Sequence, residues 1–146
     1  MKLLSQPFLL ISLLALLFMP ACGNAATKTT PLTGAEASQV QALADPLADN
    51  ILASLVKDDF TAYTQNFDET MLKVSTKTSF DSMVAGLNKQ YGAYQSRMPG
   101  KSYLIEQNGQ KYYLVIYPLK WEKGSLALQL SLHYEAPHQI AGLYFR

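Results

Sequence analysis

Beyond Gly92 the hydrophobic period of this chain changes from that of a helix to that of a strand, and few architectures accommodate both. The stretch GSLALQLSLHYE sets Leu126, Leu128, Leu130, Leu132 and Tyr134 on one face. Ala127, Gln129, Ser131, His133 and Glu135 lie on the other, as an antiparallel strand with one buried face requires. KYYLVIYPLKW is denser in β-branched and aromatic residues and is expected to be covered on both sides. NGQ at 108–110 and KG at 123–124 read as hairpin turns, and EAPHQ at 135–139 as a longer one. The spacing predicts four strands, over residues 93–106, 111–122, 125–135 and 138–145.

Upstream the period is helical. TGAE at 33–36 has capping-box spacing, and Val40, Leu43, Leu47, Ile51 and Leu55 share one helical face. Pro46 interrupts that face: either the helix kinks there, or Asp45 caps a second segment that starts on the proline. DDFTAYTQNFDETMLK reads as one or two short helices with Phe60, Tyr63, Phe67 and Met71 inward, Asp68 capping the piece that begins at Glu69. Phe80, Met83, Val84, Leu87 and Tyr91 make the clearest helix, with Thr78 and Asp81 as its capping pair and Gly92 as its stop. Helices first and a meander afterwards predict an α+β fold, with N-terminal helices packed on one face of a curved four-stranded antiparallel sheet.

The N-terminus is of another kind. After Lys2, an apolar stretch from Phe8 to Met19 has the length of a secretory h-region and falls short of the ~20 residues a spanning helix needs. Residues 1–21 are expected to be a signal peptide. MPAC resembles a bacterial lipoprotein signal, which implies that Cys22 is lipidated and becomes the mature N-terminus. GNA at 23–25 offers ordinary signal peptidase a cleavage site after Ala25, and with it a soluble periplasmic or secreted product. Residues 22–34 read as a flexible tether and 35–146 as a single domain. With one cysteine, that domain has no internal disulfide to rely on. Loss of the leader removes Lys2 alone among charged residues and leaves acids and bases in balance. No basic cluster marks a nucleic-acid surface, so the expected partners are a membrane through Cys22, a small ligand, or a protein, including a second copy of this chain.

DDFTAYTQNFDETM, FDSMVAGLNKQYGAYQS, YPLKWEKGSLALQLSL and IAGLYF together resemble the domain of unknown function 3887, from about Leu47 to Phe145. The resemblance implies a nuclear-transport-factor-2-like, or cystatin-like, cone and no particular activity. Such cones often hold a pocket between sheet and helices.

The chemistry on offer is sparse. The inward face of the third expected strand carries no carboxylate or histidine, which argues against acid–base catalysis. HYEAPH brings His133, Glu135 and His138 near one another, but a solvated strand face beside a turn explains them without zinc, which usually wants four ligands in structural sites. No nucleophile elbow, phosphate loop or C-x-x-C is present, and no cofactor or metal is expected. Aromatic residues with a polar handle line pockets for amphipathic ligands. The sheet aromatics are expected mostly as core and cross-strand packing; if there is a pocket, its candidate lining is Tyr63, Phe67, Phe80, Tyr113, Tyr117, Trp121 and Tyr134. The sequence thus points to an exported, lipid-anchored envelope protein that binds a small ligand or a protein partner. The alternatives are a small cone-type enzyme and a structural dimer joined through the face of Gln129, Ser131 and His133.

Overall fold

A computed structural model describes residues 27–146. The leader and Cys22 lie outside the described residues. The order is β1 (Lys28–Pro31), α1 (Gly34–Lys57), α2 (Phe60–Thr64), α3 (Glu69–Val74), α4 (Lys77–Tyr91), β2 (Tyr94–Arg97), β3 (Lys101–Gln107), β4 (Gln110–Trp121), β5 (Gly124–His133) and β6 (Ile140–Phe145). The fold is α+β, with the helices packed against one face of an antiparallel sheet in the order β1-β3-β4-β5-β6.

That sheet has six strands rather than the expected four. The first expected strand, residues 93–106, is divided: β3 pairs with the first part of β4, up to Lys101 opposite Ile116, and β2 with its end, Arg97 opposite Leu119. Pro99, between them, has no N–H to give a ladder, so one continuous strand cannot run through it. β4 is long enough to hold both in succession. The sixth strand is β1, inside the stretch read as a tether, which pairs with β3 from Lys28 opposite Glu106 to Pro31 opposite Tyr103. Four exposed residues carry no apolar alternation, so nothing in their own pattern announces a strand.

α1 runs through Pro46 as one helix, and Asp45 is not a cap. Thr33 is the N-cap, but its side chain makes no capping hydrogen bond. The buried stripe passes through Val40, Ala44, Ala48, Ile51 and Leu55, while Leu43 points outward at 39% exposure. Two alanines with no exposed surface let the helix axis approach the sheet closely, which the large side chains of β4 and β5 then fill. Asp68 caps α3 as expected, its Oδ1 accepting from the Met71 N–H at 2.7 Å. The cap of α4 is Thr76 with Ser79, two residues ahead of the expected pair.

The core lies between helices and sheet. Val115, Tyr117, Leu119 and Trp121 of β4 and Leu128, Leu130 and Leu132 of β5 meet Ile51, Leu55, Phe67, Phe80 and Leu87 there, all at 9% exposure or less. On the opposite face Tyr112, Leu114, Ile116 and Pro118 are half-buried, so β4 is covered fully on one side only.

Candidate functional site

Two recesses lie at opposite ends of β4 and on opposite faces of the sheet. The first is apolar, about 210 Å3, and opens where the C-terminal ends of α1 and α4 meet the end of β4. Leu55 and Val56 come from α1, Val84, Leu87 and Asn88 from α4, and Trp121 closes β4. Ala93 and Tyr94 complete the lining. They are held by a turn at Gly92, whose φ of 74° and close approach to Glu122 leave no room for a side chain: an added Cβ would lie 2.5 Å from Glu122 Oε2. The same carboxylate oxygen accepts from the Ala93 N–H at 3.2 Å. Tyr94 stands edge-on to the Trp121 ring at 5.6 Å, and burial raises its pKa, so the phenol is neutral at ordinary pH. The indole N–H of Trp121 is buried without an acceptor among the described residues, an arrangement that costs on the order of 1–3 kcal/mol.

Of the residues singled out from the sequence, only Trp121 lines this recess. Tyr63, Phe67 and Phe80 are packed on one another, with ring centroids 5.0 Å apart for Tyr63–Phe67 and 4.8 Å for Tyr63–Phe80, as solid core. Tyr117 is fully buried, its hydroxyl donating to Asp45 Oδ1 at 2.8 Å. Tyr113 and Tyr134 pack together at 5.0 Å, across β4 from the Trp121 end, and Lys111 lies over the Tyr134 ring. The seven do not share a pocket. Apolar spacing tells which side chains turn inward, not whether the space between them is filled.

An ion-pair network escaped the sequence reading. Arg97 of β2 grips Asp49 of α1 through Nε (2.5 Å) and Nη2 (3.0 Å), approaches Asp45, and stacks over the Tyr117 ring at 5.0 Å. The Arg97 hydrogen bond holds the Asp49 carboxyl below the usual range against the opposing effect of burial. Asp45 and Asp49 sit one helical turn apart, the single hint that both face one partner.

The second recess, about 500 Å3, is polar and lies on the sheet face opposite the core, bounded on one side by Asp68 and Thr70 at the start of α3. Gln110 and Tyr112 of β4, Ser131 and His133 of β5, and Gly142 and Tyr144 of β6 line it together with Asp68. The loop before α3 is sewn to β6: the Asp68 N–H donates to the Ile140 carbonyl at 2.9 Å, and the Ile140 N–H to that of Asn66 at 2.8 Å. Asp68 Oδ2 thereby accepts from His133 Nε2 at 2.8 Å. Burial raises the Asp68 pKa, but the Met71 N–H and the His133 ring outweigh it and hold the carboxyl below its ordinary value. His138 turns elsewhere, its Nδ1–H donating to the His133 carbonyl at 3.0 Å. The two imidazoles of HYEAPH therefore serve different partners. Among the described residues no group of three or more His, Cys, Asp and Glu is placed to hold a metal ion, and no helix is long and apolar enough to cross a membrane.

A family model described as a protein of unknown function (DUF3887) matches residues 48–143, from the middle of α1 into β6. No curated protein and no solved structure matches the chain.

Proposed function

The chain belongs to the DUF3887 family, and on that premise we propose that it is a small-ligand-binding module on a nuclear-transport-factor-2-like cone, exported and held at the cell envelope through a lipid on Cys22. The observation that carries the binding reading is the apolar recess at Trp121. Its lining offers one titratable side chain, the neutral phenol of Tyr94, so it is suited to holding a molecule rather than to moving protons. An apolar cavity of ~150 Å3 suffices for benzene, so this recess suits a single-ring or short-chain compound of about 100–150 Da. Asn88 supplies one polar contact at the rim. Export is supported by the apolar stretch from Phe8 to Met19 after Lys2, and anchoring by the resemblance of MPAC to a lipoprotein signal.

Native mass spectrometry of protein recovered after expression of the full sequence tests the binding. We expect either a retained mass of that size or, with indole or phenol added, a saturable adduct that Val84→Phe removes by filling the recess. No adduct with any single-ring probe, together with no rise in melting temperature, overturns the proposal. Cys22→Ser should release the protein from membranes into the soluble fraction; continued salt-resistant sedimentation would dismiss the anchor.

A further inference from the structure

We propose that the polar recess on the open face of the sheet binds a neutral saccharide. The proposal does not rest on the apolar recess, which lies at the other end of β4. At about 500 Å3 it has the volume of an ordinary ligand site, roughly 300–1,000 Å3.

Its chemistry selects the ligand. No Lys or Arg lines it, and its one basic ring, His133, is already turned onto Asp68, so a phosphate or carboxylate would find no free cation. Its one carboxylate, Asp68, is engaged at both oxygens, Oδ1 by the Met71 N–H and Oδ2 by His133, so a cation would have to compete with both. A carboxylate has about four acceptor sites, so one still remains to accept from a hydroxyl. A purely apolar molecule would strand the amides and hydroxyls around it. What satisfies such a lining is a molecule that carries many hydroxyls, each donor and acceptor, and an uncharged C–H face.

The receiving groups are fixed before any ligand arrives. The Tyr112 hydroxyl donates to Gln110 Oε1 at 2.6 Å, which orients that amide and leaves both its N–H donors free. Tyr144 stands on β6, a residue 65% exposed, and its aromatic face carries a negative quadrupole that suits the C–H hydrogens of a sugar ring. Gly142, in register with Ser131, leaves the floor between them open. These groups stand on paired strands, so little ordering remains to be done on binding.

The test is 1H–15N NMR of protein recovered from the full sequence, in a sugar-free detergent where needed. It is titrated with neutral oligosaccharides of glucose, galactose, mannose and N-acetylglucosamine, and with glucuronate and glucosamine as charged controls. At least one neutral sugar should give saturable shifts at Tyr112, Ser131, Gly142 and Tyr144 with a Kd of about 1 mM or tighter. Tyr144→Ala, at an exposed position, should weaken it about tenfold. Gln110→Ala should weaken it too, and Val84→Phe should leave it unchanged. Silence across the neutral panel overturns the proposal. So do shifts that persist unaltered in both Tyr144→Ala and Gln110→Ala, or a charged sugar that binds more tightly than its neutral counterpart.

Discussion

A glycine with an ordinary backbone can matter more than one in a turn. Gly100 is buried without a positive φ, yet an added Cβ would lie 2.6 Å from Val115 Cγ1 and 2.8 Å from Tyr117 Cε1. Both neighbours are themselves without exposed surface and have nowhere to move. Gly100→Ala is therefore expected to destabilise the protein by about 1–3 kcal/mol, read as a lower denaturation midpoint at unchanged slope. Tyr63 makes a prediction about pH. Burial pushes its phenol up to about 12, against about 10 in an unfolded chain. Its contribution to stability is intact below pH ~10 and is lost as the pH rises through ~12, because the unfolded state gives up its proton first. Tyr63→Phe should reduce the alkaline loss of stability while changing little at neutral pH. A variant whose alkaline curve overlays the parent would show that other groups control it. At this scale the sequence located Asp68 as a cap, since a cap is a local matter. It said nothing of His133 as the partner, because only the stitching of Asn66 and Asp68 to Ile140 brings the two together.

Between elements, the contact of α1 with β2 turns on one side chain. Arg97 forks onto Asp49, and its plane lies on Tyr117, which in turn donates to Asp45. Lysine cannot reproduce either the fork or the stacking, so Arg97→Lys should cost roughly 1 kcal/mol. In a double-mutant cycle with Asp49→Asn the two losses should not add, with a coupling of about 0.5 kcal/mol or more; strict additivity would mean that the pair contributes nothing. The helices were legible because 3.6-residue spacing is written locally: α3 begins after its Asp68 cap and α4 turns Phe80 and Leu87 inward, although its cap lies two residues ahead of the expected pair. Hydrophobicity alone sets Leu43 in the stripe of α1, but it is size that decides which residues the sheet covers. Ala44 and Ala48 are buried because they are small enough for the helix to close on the sheet.

For the whole molecule the least conspicuous strand has the widest effect. β1 covers the edge of β3, and Leu32, just after it, donates to the Ser102 carbonyl at 2.9 Å and packs on the core. A chain begun at Thr33 should melt lower and self-associate through the bared β3 edge, seen as a concentration-dependent sedimentation coefficient; a monomer of unchanged stability would make β1 dispensable. Its register also sets a distance. Lys28 pairs with Glu106, beside the β3–β4 hairpin, so the chain enters the sheet at the end opposite Trp121. Only residues 23–27 separate Cys22 from that strand, a span of about 20 Å at full extension. A lipid on Cys22 would thus act as a short leash rather than a long one, keeping the hairpin end near the bilayer and turning the mouth beside Trp121 toward the aqueous side.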